Sequence, residues 1–323
     1  MKVLVTGSEG FIGSHLTELL VEKGFEVKGF VRYNFKNDWG WLEDSKYKNE
    51  IEVYSGDIRD YDSVHDAMKD VDVVFHLAAL IGIPYSYISP LAYIKTNTEG
   101  TYNVLEACKK LNIERIIHTS TSEIYGTAQY VPIDEKHPYN PQSPYAASKA
   151  GADHLALSYY RSFGTPVTII RPFNTFGPRQ SARAVIPTII SQILAGKERI
   201  KLGNLSPTRD LNYVKDIANG FITVGLHEKT IGDVFNLGTG EEISIGNLAQ
   251  KIIELIGKNV EIIEDTQRIR PEKSEVERLL SNPEKAKKIA GWEPKYSLEE
   301  GLKETIEWIQ ENLQYYKTDI YNI

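Results

Sequence analysis

The sequence predicts an α/β protein built on a doubly wound parallel sheet, with a smaller C-terminal lobe. Two observations predict this fold. Short runs of apolar and β-branched residues alternate with helical patterns through the first 172 residues, as they do in crossover units around a parallel sheet. The 323 residues, 41% of them hydrophobic, also supply enough apolar surface for a substantial core.

The strands and helices alternate regularly in the first half of the chain. The predicted strands are KVLVT, EVKGFV, IEVYSG, VDVVFHLAA, RIIHTS and VTIIRP, and the predicted helices cover 11–23, 61–69, 91–111 and 144–163. After residue 172 the pattern is less regular, and Pro and Gly punctuate it at RPFNTFGPRQ and LGNLSPTRD. No Pro/Ser-rich or charged linker separates the halves, so we expect a second lobe rather than a separately linked domain.

Composition and charge narrow the classes of function. The net charge is −7 and no basic run dominates, which gives little support to binding of nucleic acid or of an anionic membrane. The N-terminus starts a strand at once, and runs such as VIPTII are too short to cross a bilayer. The single Cys108 suits a reducing compartment, so we expect a cytoplasmic protein. The seven histidines lie far apart, so no metal site is expected.

The first strand-to-helix connection, VLVTGSEGFIGSHL, carries Gly7, Gly10 and Gly13 at GxxGxxG spacing. Glycines here permit a tight turn and the close approach of a pyrophosphate, which then lies at the positive end of the helix. In this context the motif predicts a Rossmann-type dinucleotide site, with Phe11 and Ile12 among the contacts. The alternative is that the glycines serve only the turn.

Further cofactor contacts are predicted after later strands. An acid after the second strand normally selects NAD by binding the ribose 2′-hydroxyl, but this chain has GFVRYN there. Arg32 could pair with a 2′-phosphate or lie in a solvated loop, so the predicted cofactor is NAD or NADP. Asp57 could accept a hydrogen bond from the adenine amino group, or it could cap a turn or helix. The remaining predicted contacts are Ile58, Leu77, Ala78, Ala79, Asn97 and Thr119.

The segment SPYAASK places Tyr145 and Lys149 four residues apart, on one face of a predicted helix. Ser143 can cap that helix, and Pro144 suits its first turn. Because the ordinary tyrosine pKa is about 10, a tyrosine base at neutral pH needs nearby positive charge. Lys149 and an oxidised nicotinamide would supply that charge. The alternative is a surface Tyr/Lys pair on an ordinary helix.

These motifs resemble the extended short-chain dehydrogenase/reductases that act on nucleotide-diphosphate sugars. The matching stretches, from residue 3 to about 300, are TGSEGFIGSHL, GDIRD, HLAA, TNTEGTYNVLEA, STSEIYG, YAASK, RPFNTFGPR, TRDLNYVKDI, NLGTG and NPEKAKKIAGWEP. The resemblance implies a Rossmann lobe for the dinucleotide and a C-terminal substrate-binding lobe for the nucleotide sugar. We expect the first lobe over 1–173, rejoined by 212–238 and 284–310, and the second over 174–211 and 239–283.

The resemblance also implies the roles of the reacting groups. In this family the tyrosine takes the proton of the sugar 4-hydroxyl while hydride passes from C4 to the nicotinamide. Tyr145 carries over to that role, and Lys149 carries over as the residue that lowers the pKa of Tyr145 and holds the nicotinamide ribose. Thr121, in STSEIYG, carries over as the hydroxyl that binds the 4-oxygen.

Ser122 and Glu123 are expected to decide the outcome of the reaction. A 4-keto intermediate makes the C5 proton acidic, and Glu123 could remove it so that water leaves from C6; small hydroxyl residues alone would permit only C4 epimerisation. Many 4,6-dehydratases have Thr-Asp-Glu here, whereas GDP-mannose 4,6-dehydratases and UDP-glucuronate decarboxylases have Thr-Ser-Glu, as this chain does. The acid that protonates the leaving hydroxyl therefore stays open between Glu123 and Ser122. A cap or an ion pair is the alternative role for Glu123.

Guanidinium groups are the expected partners of a nucleotide diphosphate. Asn174, Arg209 and Arg270 lie in the matching motifs, and Arg183 and Arg179 are weaker candidates. Any one of these arginines could instead form a surface ion pair.

Longer stretches sharpen the resemblance. NDWGWLE, HLAALIGIPYSYISP, STSEIYGTAQYVPI and KLGNLSPTRDLNYV are similar to the GDP-N-acetylglucosamine 4,6-dehydratases of legionaminic acid biosynthesis. We therefore expect 4,6-dehydration of GDP- or UDP-N-acetylglucosamine, with C4 epimerisation, decarboxylation of UDP-glucuronate and a silent dinucleotide-binding regulator as alternatives. The family's dimer interface uses the equivalents of helices 91–111 and 144–163, which implies a homodimer.

Overall fold

The computed structural model describes residues 1–322 and contains a seven-stranded parallel sheet with helices on both faces. The strands are β1 (Lys2–Thr6), β2 (Glu26–Arg32), β3 (Ile51–Gly56), β4 (Val73–His76), β5 (Arg115–Thr119), β6 (Val167–Pro172), β7 (Thr175–Phe176), β8 (Arg199–Leu202), β9 (Thr208–Arg209), β10 (Asn212–Tyr213), β11 (Val234–Leu237), β12 (Ile243–Ser244), β13 (Glu261–Glu264) and β14 (Arg278–Leu279). The predicted α/β class is confirmed.

The helices occupy the predicted places in the first half of the chain. They are α1 (Phe11–Glu22), α2 (Tyr61–Ala67), α3 (Ile83–Ile88), α4 (Pro90–Tyr93), α5 (Gly100–Leu111), α6 (Pro144–Phe163), α7 (Val185–Leu194), α8 (Val214–Gly225), α9 (Ile245–Ile256), α10 (Glu284–Ala290) and α11 (Leu298–Glu311). No helix of the described residues is both long and apolar enough to cross a bilayer.

The strand order of the main sheet is β11-β6-β5-β4-β1-β2-β3. The chain runs outward from β1 to β3 and then returns to β4 on the other side of β1. In open parallel sheets, ligands bind at such a reversal, beside the carboxyl ends of the strands. Thr6 of β1 pairs with His76 of β4, which pairs with His118 of β5, so the central strands end at one level.

The pattern of β1 shows how the sequence builds this sheet. Leu4 packs into the core on one face, and Val3 and Val5 pack into the core on the other, because side chains alternate along a strand. Helices α2, α5 and α6 cover the first face, and α1, α8 and α10 cover the second. A strand buried on both faces has the continuous apolar run that β1 shows.

The predicted helix 91–111 is not uniform. The residues of α4 and α5 are α-helical, whereas Ile94–Glu99 between them forms a π-helix. Short π-helical segments often occur at functional sites. This one carries the buried Asn97, whose side chain accepts a hydrogen bond from the Leu80 N–H at 2.8 Å and donates to Ser148 Oγ at 2.9 Å. Asn97 thereby ties the loop after β4 to α6.

The smaller lobe contains short strands and its own core. Strand β9 lies between β12 and β14, while β13 pairs with β8 and β10 pairs with β7. The apolar side chains of β7, β8 and β10 pack together with α7, α9 and α11, whereas Leu279 of β14 packs with Ile124 and Phe173. Two-residue strands carry too little periodicity to be recognised from sequence, which is why the irregular pattern after residue 172 predicts none of them.

The last two helices pack in different places. Ala286 of α10 joins the core beneath the main sheet, whereas Leu302 and Ile306 of α11 pack with α7 and α9. The apolar face of α11 therefore meets the apolar face of α7. The return of 284–310 to the dinucleotide lobe, like the other lobe boundaries, stays a prediction.

Candidate active site

The glycine-rich turn between β1 and α1 lies against the loop after β4. Gly7 has φ +70°, and a Cβ there would lie 2.9 Å from Ala78 N and Cα. A Cβ on Gly13 would lie 2.0 Å from the Gly7 carbonyl oxygen. No side chain caps α1 at Gly10, and its first turn has no acidic residue. A closely packed turn below an uncapped helix N-terminus fits the pyrophosphate of a dinucleotide.

Thr6 fixes the two loops of this site relative to each other. Its hydroxyl accepts hydrogen bonds from the backbone N–H groups of Leu77 and Ala78, each at 3.1 Å. The same hydroxyl lies 2.9 Å from His76 Nδ1. Leu77 and Ala78 were predicted to line the cofactor site, and the structure brings both beside the glycine turn.

Helix α6 positions the predicted tyrosine and lysine. Ser143 Oγ accepts the Ala146 N–H at 3.1 Å and Pro144 occupies the first turn, as the sequence predicts. Tyr145 and Lys149 are both buried, with 8% and 3% of their surfaces exposed. The Tyr145 ring meets the Tyr93 ring edge to face, with centroids 6.2 Å apart. The pair is therefore not an ordinary surface pair.

Burial shifts the pKa values of both Tyr145 and Lys149. Burial raises the pKa of Tyr145, a hydrogen bond with Thr121 lowers it, and the charge of Glu123 raises it further. Burial lowers the pKa of Lys149 to about 8, and its ammonium donates to the Thr119 carbonyl. The acidification of Tyr145 by Lys149 together with an oxidised nicotinamide stays a prediction.

The Thr-Ser-Glu triplet follows the end of β5. Thr121 caps a 3-10 helix over Ser122–Tyr125, and its Oγ1 accepts the Glu123 N–H at 3.3 Å. Thr121, Ser122 and Glu123 are all buried. Within the described residues the Glu123 carboxylate forms neither a salt bridge nor a hydrogen bond. Its charge acts on Tyr145 and on Arg209, so Glu123, Tyr145 and Arg209 lie close together.

Two of the predicted substrate arginines gather around one carboxylate. Glu275 lies 3.5 Å from Arg209 and 3.6 Å from Arg270, and Arg209 is only 7% exposed. Burial lowers the pKa of Arg209, while the charges of Glu123 and Glu275 oppose that effect. Arg270 Nη1 and Asn174 Oδ1 are buried without a hydrogen-bond partner among the described residues. Buried polar atoms that lack a hydrogen bond, as Asn174 Oδ1 does, are expected where a ligand binds.

The weaker arginine candidates are not part of this cluster. The Arg179 guanidinium binds the Glu18 carboxylate of α1 through two hydrogen bonds, at 3.1 and 2.9 Å. Arg179 therefore forms an ion pair within the protein, which is the alternative role that the sequence left open for it. Arg183 is exposed, and its Nε donates to Ser181 Oγ at 3.1 Å.

Three predicted cofactor contacts have other partners in the protein. The Asp57 carboxylate is engaged by Arg59, whose Nε donates to it at 2.9 Å. Ile58 is buried in the core. The Arg32 side chain is exposed, and the Arg32 backbone N–H donates to the Glu9 carboxylate at 3.0 Å. These contacts neither require nor prevent the predicted roles. No group of three metal-ligating side chains occurs within residues 1–322.

A buried polar cluster that the sequence did not predict lies around Asp153, one turn after Lys149 on α6. Asp153 of α6 accepts hydrogen bonds from Ser120 Oγ at 2.7 Å and from Arg171 Nε at 3.1 Å, and its Oδ1 lies 3.2 Å from His118 Nε2. All four residues are buried. The available signal was the spacing of Tyr145, Lys149 and Asp153, because residues four apart share a helix face.

Three features together define an extended short-chain dehydrogenase/reductase. They are the parallel sheet whose strand order reverses at β1, the glycine-rich turn after β1, and the buried Tyr145–Lys149 pair close to the Thr121 hydroxyl after β5. The family model described as GDP-mannose 4,6 dehydratase matches residues 4–305. The chain belongs to this family.

Three relatives show the range of activities around this chain. Human dTDP-D-glucose 4,6-dehydratase is 32% identical and covers 98% of this chain and 92% of its own. The NAD-bound dTDP-glucose 4,6-dehydratase DesIV from Streptomyces venezuelae is 28% identical, with a TM-score of 0.89 over 98% of this chain and 99% of that one. The UDP-N-acetylglucosamine 4-epimerase from Methanobrevibacter ruminantium is 31% identical, with a TM-score of 0.83 over 96% and 98%. Nucleotide-sugar dehydratases and epimerases are thus both among the homologues.

Proposed function

We propose that the protein is an NAD-dependent 4,6-dehydratase that converts a nucleotide-diphosphate N-acetylhexosamine to its 4-keto-6-deoxy form. The observation that carries this proposal is the buried Glu123 carboxylate, which forms no ion pair within the described residues and acts electrostatically on Tyr145. C4 epimerisation has no need for such a carboxylate, whereas removal of the C5 proton does. The NAD bound to the related DesIV supports the cofactor.

The first step oxidises C4. Tyr145, as phenolate, takes the proton of the sugar 4-hydroxyl. The Thr121 hydroxyl, whose hydrogen bond lowers the pKa of Tyr145, binds the 4-oxygen. Lys149 contributes positive charge and holds the nicotinamide ribose. A bound NAD would accept the hydride from C4 and supply it again at C6, so the overall reaction would be redox-neutral.

The second step uses the acidity that the 4-ketone gives to C5. Glu123 removes the C5 proton, and hydroxide leaves C6 as water after protonation by Glu123 or by Ser122. Return of hydride to C6 and of a proton to C5 gives the 4-keto-6-deoxy sugar. The product is therefore lighter than the substrate by one water.

We assign the diphosphate to Arg209 and Arg270, and we keep Asn174 and Arg183 as predicted contacts of the nucleotide sugar. The guanidinium groups of Arg209 and Arg270 lie around one carboxylate, so their positive charges converge in a way that suits a dianion. The N-acetylhexosamine is supported by the longer stretches similar to legionaminic-pathway enzymes and by the related UDP-N-acetylglucosamine 4-epimerase. On this basis the substrate is GDP- or UDP-N-acetylglucosamine, in the cytoplasm, for legionaminic acid biosynthesis.

We also propose a homodimer through α4, α5 and α6. These helices expose large apolar side chains that a single chain leaves in water. The exposed side chains on them are Leu91, Tyr102, Tyr160 and Phe163, with Ile94 on the intervening π-helix. Apolar patches of this kind often mark contacts between protein chains.

The second candidate is a nucleotide-sugar C4-epimerase, favoured by the similarity to a UDP-N-acetylglucosamine 4-epimerase. Both candidates share the C4 oxidation by Tyr145. They differ only in whether Glu123 acts on C5 before the hydride returns.

A panel of nucleotide sugars with product analysis by mass spectrometry tests the proposal. GDP-N-acetylglucosamine or UDP-N-acetylglucosamine should yield a product lighter by one water. A C4 epimer of unchanged mass would identify the epimerase, and loss of CO2 from UDP-glucuronate would identify a decarboxylase. Dinucleotide binding without turnover of any sugar in the panel would favour the regulator.

A further inference from the structure

Asp153 is the centre of a buried hydrogen-bond cluster that the proposed chemistry does not use. It lies on α6 one turn after Lys149 and has no exposed surface. Its Oδ2 accepts from Ser120 Oγ at 2.7 Å and from Arg171 Nε and Nη2 at 3.1 and 3.0 Å. Its Oδ1 lies 3.2 Å from His118 Nε2. A carboxylate with this many partners is held in one orientation.

The partners of Asp153 lie on both sides of the Lys149 acceptor. His118 and Ser120 flank Thr119 at the end of β5, and the Thr119 carbonyl accepts the Lys149 ammonium. Lys149 and Asp153, on successive turns of α6, therefore bind three consecutive residues, 118–120, at the end of β5. A shift of this strand end would move the Lys149 ammonium and the adjoining Thr121 together.

Arg171 supplies the opposite charge from β6. Its guanidinium lies over the rings of Tyr125 and Tyr139, 5.2 and 4.8 Å from their centroids, and donates to the Tyr125 hydroxyl at 2.7 Å. Buried ion pairs are expensive to desolvate, and an apolar pair of similar volume is often as stable. The stability of the fold alone therefore gives weak grounds for this pair.

We propose that Asp153 is a positioning residue for Lys149: through His118 and Ser120 it fixes the Thr119 carbonyl that accepts the ammonium, and it places a buried carboxylate one helical turn from Lys149. This inference rests on the role of Lys149 in the proposed function. Asp153 itself does not touch the substrate, because Lys149 and the end of β5 lie between.

The charges around Lys149 come from four elements. Tyr145 and Asp153 lie on α6, His76 on β4, His118 on β5 and Arg171 on β6. Burial lowers the pKa of both histidines, so they are neutral near pH 7. Burial raises the pKa of Asp153, but Arg171 and His118 together lower it to about 2.

Asp153 and Arg171 are therefore the charged groups of this cluster at neutral pH, and we expect their charges to act on Lys149 in opposite senses. The negative charge raises the pKa of Lys149, whereas a positive charge disfavours a second one nearby. This opposition separates an electrostatic role from a merely structural one.

The test is a direct titration of Lys149 in the NAD-saturated protein, by NMR of ¹³Cε-labelled lysine. We expect Asp153→Asn to lower the Lys149 pKa by about one unit or more, and Arg171→Met to raise it. The alkaline limb of the turnover pH profile should move in the same directions. Asp62→Asn, on the exposed side of α2, is the control and should change neither.

A structural role would lower the stability of both variants and leave the Lys149 pKa unchanged, or move it the same way in both; either result overturns the proposal. If a single variant fails to fold, Asp153→Asn combined with Arg171→Met removes both buried charges. It should still lower the Lys149 pKa, because the Asp153 charge is the one that raises that pKa in the parent, and an unchanged pKa would contradict the inference. The titration needs no turnover, so it decides this proposal even if no nucleotide sugar is dehydrated.

Discussion

Tyr145 and Glu123 form an unusual pair, because the charge of Glu123 makes ionisation of Tyr145 harder. The Glu123 charge raises the pKa of Tyr145, which opposes formation of a phenolate. The pair is useful only if the two groups act in sequence, with positive charge nearby when Tyr145 gives up its proton. The proposed dehydration has that order, since Tyr145 acts at C4 before Glu123 acts at C5.

Replacing Glu123 by Gln removes the base without changing the size of the side chain. We expect dehydration to slow by roughly 10²- to 10⁴-fold, the usual contribution of a general base. C4 oxidation should survive, so reduced dinucleotide should accumulate, which its absorbance would show.

Glu277→Gln is the matched control, because Glu277 is exposed and its charge also acts on Arg209. It should leave dehydration within a few-fold of the parent. Equal rates for the Glu123 variant and this control would remove Glu123 from the mechanism.

At this scale the sequence reveals the types of reacting group but not their orientation. The Tyr145–Lys149 spacing and the Thr121–Glu123 triplet are local patterns, and the structure shows all of these residues buried in one region. The direction of the Lys149 ammonium towards Thr119 depends on where β5 ends relative to α6. That contact, like Asp153 with Arg171, joins residues distant in sequence and leaves no local pattern.

The elements place the site through their ends. The central strands β1, β4 and β5 stop at one level, and the glycine turn, the loop after β4 and the Thr-Ser-Glu triplet all begin there. These strands were predictable because their apolar runs are long enough to show a pattern. The π-helix over Ile94–Glu99 was not predictable, because the amino-acid composition of this segment differs little from that of an α-helix.

The exposed apolar face of α4 to α6 leads to a prediction about assembly. Leu91→Asp combined with Ile94→Asp should weaken the proposed homodimer by about 3 to 6 kcal/mol, since each buried side chain of this size contributes about 1.5 to 3 kcal/mol. Light scattering after size exclusion should show the mass of two chains for the parent and of one for the variant.

Phe35→Asp is the control, because Phe35 is 90% exposed in a loop outside these helices; it should keep the mass of two chains. A parent protein with the mass of one chain at micromolar concentration would refute the dimer. A variant that remains dimeric would move the interface elsewhere.

The whole molecule combines a sheet that was largely predictable with a smaller lobe that was not. The order β11-β6-β5-β4-β1-β2-β3 follows from alternating strands and helices, because right-handed crossovers leave few arrangements. The smaller lobe depends on two-residue strands and on α11, which packs with α7 and α9. Arg209 and Arg270 come together with Glu275 only through that packing, so their clustering had no sequence signal beyond family resemblance.

The central claim is that one sugar ring meets Tyr145 at C4 and Glu123 at C5. Turnover of GDP-N-acetylglucosamine or UDP-N-acetylglucosamine carrying deuterium at C4 tests it most directly, with the label located by NMR and mass spectrometry. We expect 4,6-dehydration to give a product lighter by one water, with the C4 deuterium at C6 and a hydrogen from solvent at C5. Deuterium retained at C4 in an epimer of unchanged mass would contradict it.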